Sequence, residues 1–287
     1  MADTILAAVP TPFTAAGELD LDAARRLFTL VAGHVDGLFI AGTTGEFASL
    51  DDGERLALIE LGLEIAGPDR VIAHVGAPDA RRAVRLAAAA AARGATRLAA
   101  VTPYYGTPRR AELADYYARV RDAVPAAGLY AYIFPERTTV TVPPARFSAL
   151  AVETGLAGAK LSGSAAADVA ACAAACPGLR IYSGDDADLG AVLRAGGAGI
   201  ISARSAIFPE VYGLLAAALA AGDTAAASRH QKDVDAIVAV GASIGRFKEV
   251  LRRRGLGAMA ARMPADEPDP ATATRIAELV KTLAPRG

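Results

Sequence analysis

The sequence predicts an α/β protein closed into a (β/α)8 TIM barrel with a C-terminal helical extension. Three observations carry that prediction. Short β-type runs alternate with alanine-rich helical segments as far as about residue 205, the runs number eight, and about 80 further residues follow with helical period alone. Alternation predicts parallel βα units. Eight of them predict closure, because a closed sheet has no edges to protect and near-continuous apolar strands suit a sheet covered on both faces. An open doubly wound sheet is the alternative reading of the same alternation.

The strand candidates, in order, are TILAAVP (4–10), GLFIAG (37–42), RVIAHVG (70–76), RLAAVTP (97–103), GLYAYIFP (128–135), GAKLS (158–162), RIYSG (180–184) and GIISA (199–203). Between them, apolar residues at helical spacing predict helices over 21–34, 51–65, 79–93, 110–123, 165–175 and 188–194. After strand eight, PEVYGLLAAALAAG, DTAAASRHQKDVDAIVAV, FKEVLRRRG and a segment near 271–283 read as helices, punctuated by turn signals at 222–223 and 264–268. We therefore expect a barrel over 1–205 and a helical appendage over 206–287 packed on it.

Composition narrows the function. A net charge of −1 with 21% charged residues and no basic block makes nucleic acid and anionic membrane poor partners, and favours small-molecule chemistry. No apolar stretch reaches the length of a membrane span without a charge, and the opening MADTILAAVPTPF lacks the layout of a secretion signal, so a cytoplasmic location is expected. The two cysteines, Cys172 and Cys176, stand at helical i, i+4 spacing, which suits buried packing better than redox or metal work. No Walker-type or GxGxxG loop follows any strand and the three histidines are dispersed, so neither a nucleotide cofactor nor a metal is expected.

Lysine is scarce. The chain has four, Lys160, Lys232, Lys248 and Lys281, among 30 basic residues. Three lie in charged or helical surroundings where a solvated head is ordinary. Lys160 lies instead in the apolar run GLAGAKLSGS. Burying an ammonium is costly, its usual relief is a lowered pKa, and a neutral amine is a nucleophile, which arginine cannot become. The plain alternative is a strand-end lysine whose head reaches solvent. Position separates the two, because the C-terminal ends of barrel strands form the active-site rim. GTTGE (42–46), TPYYG (102–106), YIFPERT (132–138), Lys160 and SGDD (183–186) all follow or end strands on that rim. The two hydroxyls and the backbone N–H groups of GTTGE can cradle a carboxylate or phosphate, though a simple βα turn reads the same way. Tyr132, on the strand next to Lys160, can pass protons or simply pack, and His74 reads as a core histidine.

Taken together and in this order, GTTGE, TPYY, Y-x-x-P-x-R-T, a strand-six lysine and SGDD resemble the dihydrodipicolinate synthase and N-acetylneuraminate lyase family over about residues 5–260. The resemblance implies a class I aldolase or lyase on a (β/α)8 barrel, commonly a homotetramer, that handles pyruvate as a lysine imine without a cofactor. It implies Lys160 as the Schiff-base lysine and Tyr132 as the proton shuttle. Thr43, Thr44 and Gly42 would hold the keto-acid carboxylate, with Thr44 also relaying protons. Tyr105 would enter a neighbouring subunit's site, Ile201 would lie close to the keto acid, and Arg137 would bind the second substrate's carboxylate.

The departures bear on that second substrate. Ile133 and Phe134 stand between Tyr132 and Pro135, Glu136 replaces a small residue, GAPDARR (76–82) lacks the polar groups of a lysine-feedback site, and GASIGRFKEV replaces a segment the synthases share. Condensation of pyruvate with aspartate semialdehyde is the leading expectation. Cleavage of a 2-keto-3-deoxy sugar acid or a 4-hydroxy-2-oxo acid is the alternative within the family. A non-catalytic keto-acid binder is the alternative of another class, and a phosphate-binding barrel is disfavoured by the two aspartates of SGDD.

Overall fold

Strands four to six residues long with almost no exposed position have no wet face, so they must be covered on both sides. The computed structural model describes residues 4–284, which leaves the first three residues of the opening segment and the last three of the extension outside the described residues. The chain runs β1 (Ile5–Ala8), α1 (Leu21–Ala32), β2 (Gly37–Ile40), α2 (Asp52–Ala66), β3 (Val71–His74), α3 (Ala80–Ala92), β4 (Arg97–Val101) and α4 (Arg110–Ala123). It continues with β5 (Gly128–Ile133), α5 (Pro135–Thr138), α6 (Pro144–Thr154), β6 (Gly158–Leu161), α7 (Val169–Ala175), β7 (Arg180–Ser183), α8 (Leu189–Arg194) and β8 (Gly199–Ser202). Four helices complete it: α9 (Pro209–Ala220), α10 (Thr224–Val238), α11 (Ile244–Arg253) and α12 (Pro270–Leu283). The strands follow one another in order around a closed barrel, so the open-sheet alternative falls. Among the described residues no helix is long and apolar enough to cross a membrane.

Aspartate and serine start many of these helices. Asp20, Asp79, Asp188, Asp223, Ser243 and Asp269 each accept the N–H of the residue three further on, satisfying one of the donors a helix start leaves open. Two elements differ from expectation. Helix α6 goes unread in the sequence because Pro143 and Pro144 look like breakers, yet Pro144 occupies the first turn, where a missing N–H costs nothing. The helix expected over 165–175 begins only at Val169, after a 3-10 turn over Gly163–Asp168.

Contacts divide the chain into two compact units, one of Thr4 with Gly67–Ile201 and the other of Ile5–Ala66 with Ser202 onward. In the first unit, register places Tyr132 of β5 beside Lys160 of β6, and Lys160 beside Tyr182 of β7. Gly158 must be glycine here, since a Cβ would stand 2.1 Å from the Arg180 carbonyl oxygen and 2.9 Å from the Tyr130 ring. In the second unit β1 pairs with β2, and Arg254, which caps the C-terminal end of α11, joins the Glu210 carboxylate on α9 with both side chains nearly buried.

Candidate active site

The third position of β6 turns inward, and Lys160 is only 5% exposed there. Its Nζ lies 4.6 Å from the centroid of the Tyr132 ring. Burial pushes the Lys160 amine down to about 7, against the opposing charge of Asp186. A sizeable fraction of this amine is therefore neutral at physiological pH. Asp186 is buried in the loop after β7, whose start is fastened to the end of β6 by the Gly184 N–H on the Leu161 carbonyl, at 2.6 Å.

Tyr132 is held from two other directions. His74, fully buried on β3, meets its ring edge-on at 5.9 Å, and the Phe134 ring lies tilted at 6.1 Å. The His74 imidazole is itself fixed by Val101, whose N–H donates to Nε2 at 3.3 Å. Its being a core histidine is thus consistent with its packing, and its place against Tyr132 is what the sequence left unseen. The backbone carbonyl of Tyr132 accepts the Thr102 N–H at 2.9 Å, and the Thr102 hydroxyl donates to Thr138 at 2.8 Å. The end of β5, the TPYYG loop and α5 are in this way tied together.

Arg137 lies on α5 with its guanidinium carbon 5.8 Å from the Phe134 centroid. Its neighbour Glu136 accepts the Ser164 N–H at 2.8 Å, and hydrogen bonds from Ser164 hold that carboxyl below its ordinary range. Gly163 passes beneath with φ at 61°, where a Cβ would stand 1.9 Å from Glu136 Oε2. Ile201 is buried on β8. Tyr105 is not brought to the lysine: its ring is fully exposed and its φ is 76°.

In the second unit, GTTGE forms a tight turn after β2. The Thr43 carbonyl accepts the Glu46 N–H at 3.0 Å and the Gly42 carbonyl accepts the Phe47 N–H at 3.2 Å, while Thr43 and Thr44 stay half-buried. A Cβ on Gly42 would sit 2.5 Å from the Phe39 ring, so glycine is obligatory there. Thr11 Oγ1 donates to the Gly45 carbonyl at 2.6 Å. The expectation that Lys248 has a solvated head is corrected. Lys248 is fully buried and ion-paired with Glu46 of this turn. The signal was present, since Lys248 lies three residues before buried Leu251 and beside Phe247 on the apolar stripe of α11.

A closed barrel with a buried strand lysine whose amine burial brings to about 7 is an arrangement that can work through an amine. The chain belongs to the dihydrodipicolinate synthetase family, whose profile matches residues 1–283. It is 37% identical over 269 residues to a 4-hydroxy-tetrahydrodipicolinate synthase of Mycolicibacterium paratuberculosis, covering 91% of this chain and 88% of the relative. A synthase of the same name from Acidothermus cellulolyticus is 34% identical over 289 residues, covering 99% and 92%. Among solved structures, the E. coli K12 prophage protein YagE, a member of the dihydrodipicolinic acid synthase family solved in complex with pyruvate, superposes with a TM-score of 0.87 at 28% identity, covering 98% of each chain.

Proposed function

We propose that this protein is a class I aldolase that forms an imine between Lys160 and pyruvate and condenses it with aspartate semialdehyde. The observation that carries the proposal is the buried Lys160 amine, brought to about 7, beside Tyr132. The neutral amine attacks C2 of pyruvate, and the carbinolamine loses water to give a protonated imine. That imine is an electron sink, so C3 gives up a proton and the resulting enamine attacks the aldehyde carbon, whose oxygen takes a proton to become the hydroxyl; water then releases Lys160. The names of the two curated synthases and the pyruvate complex of YagE support the substrate pair.

In this reading Tyr132 and Thr44 carry protons to and from the carbinolamine oxygen, and Gly42, Thr43 and Thr44 receive the keto-acid carboxylate. Ile201 supplies a carbonyl close to the bound keto acid. Arg137 takes the second carboxylate, for which a planar fork is well shaped. Tyr105 acts in a neighbouring subunit of a homotetramer, a dimer of dimers, and its full exposure in the single chain supports that reach. The protein works in the cytoplasm, with small-molecule substrates and with neither metal nor organic cofactor.

One observation favours a second reading. The ionised Glu136 stands beside Arg137 and partly offsets its charge, which suits a neutral, hydroxyl-bearing portion of a 2-keto-3-deoxy sugar acid better than a second carboxylate. Borohydride reduction in the presence of pyruvate, read by intact mass and peptide mapping, tests the imine: a pyruvyl adduct on Lys160 is expected, and a folded protein without one overturns the proposal. Coupled assays then divide the two readings. Turnover with aspartate semialdehyde supports the first, and pyruvate release from a keto-deoxy acid without such turnover supports the second.

A further inference from the structure

The chemistry above leaves a second buried lysine unused. Lys248 Nζ lies against Glu46 Oε1, both side chains fully buried, and donates to the Ala260 carbonyl at 2.6 Å. Glu46 Oε2 accepts the N–H groups of Arg262 at 2.9 Å and Met263 at 2.8 Å. One carboxylate of the GTTGE turn thus takes an ion pair from α11 and two backbone N–H donors from the segment that follows it. Phe13 lies against both cations, 4.5 Å from Lys248 Nζ and 4.3 Å from the Arg262 guanidinium carbon. Arg262 secures the surrounding chain as well, holding Glu54 through two bonds of 2.7 and 2.6 Å and the Gly17 carbonyl at 2.7 Å.

Stability alone does not call for this arrangement. Two buried charges lose hydration, and an apolar pair of the same volume commonly stabilises as well or better. What an ion pair adds is a fixed geometry for the backbone that carries it. Glu46 has φ at 54°, a left-handed conformation that a residue with a side chain keeps only when its surroundings impose it. Glu46 is also the last residue of the turn, and its N–H closes the turn on the Thr43 carbonyl.

We propose that Glu46 and Lys248 are positioning residues whose ion pair fixes the peptide groups of Gly42–Glu46 in the arrangement that receives the keto-acid carboxylate. This rests on the reading of GTTGE as the carboxylate cradle. The test compares the full-length wild type with Lys248→Met and with the double variant Glu46→Gln/Lys248→Met, which removes both charges and so avoids leaving one buried alone. Three quantities are read: melting temperature, pyruvate concentration for half-maximal borohydride trapping, and amide hydrogen exchange over residues 42–50.

In the double variant we expect a melting temperature close to that of the wild type, faster exchange at 43–47, and half-saturating pyruvate raised by about tenfold or more with the maximal extent of trapping retained. A folded double variant with unchanged exchange in the turn overturns the proposal. So does one that binds pyruvate as well as the wild type, because the pair is then scaffolding alone. If the wild type itself traps no pyruvate, it is the reading of function that fails, and faster or unchanged exchange at 43–47 still decides whether Lys248 holds the turn.

Discussion

The protein buries two lysines and uses their surroundings differently. Lys160 faces Asp186 as an opposing charge, and burial dominates, leaving the amine at about 7. Lys248 is also lowered by burial, but a carboxylate in direct contact and a backbone carbonyl on the same nitrogen favour its proton. Burial thus makes an amine available for attack only where the neighbouring groups leave the proton loosely held. Where a carboxylate grips it, the same side chain becomes a fastening.

The strongest way to break this contrast is Lys160→Ala. Adduct formation and turnover are expected to fall by at least about a thousandfold, with the fold intact by circular dichroism. An adduct that survives on Lys248 would show that the contact with Glu46 does not quiet that amine. Next comes Tyr132→Phe, which keeps the ring against Lys160 and His74 and removes the hydroxyl. The rate of imine formation is expected to drop by about a hundredfold without a change in melting temperature.

The pH profile sharpens the comparison. Only the neutral amine attacks, so the trapping rate should rise with pH through about 7 and level off above it. Asp186 opposes the lowering of Lys160, so Asp186→Asn should lower that pKa further and move the acid limb of the profile to lower pH. A limb that stays in place would mean that Asp186 does not act on the amine. The smallest effect is expected from Arg25→Ala at an exposed ion pair with Glu64, which should leave the melting temperature unchanged in a thermal scan.

Most of the architecture was legible because the period of the pattern is its cause. Eight apolar runs separated by helical segments can cover both faces of a parallel sheet in few ways, and closure removes the edges. Helix α6 was hidden by a proline pair whose meaning depends on whether it stands before a helix or inside one. Lys160 was legible by contrast with its apolar neighbours. Lys248 was legible only in part, since its place on the apolar stripe of α11 signals burial whereas its partner Glu46 lies some two hundred residues away. His74 was placed in the core by its strand, but nothing local tells that its ring meets Tyr132.

The tie between the GTTGE turn and the chain's last quarter also orders events in time. Glu46 leaves the ribosome early, whereas the amides it binds belong to residues 216 and 217 positions later. During synthesis the turn can bend but cannot be locked by this pair until Lys248 and the Arg262 and Met263 amides have been made. In the proposed reading, full affinity for the keto acid therefore arrives only near the end of translation, in one long-range closure.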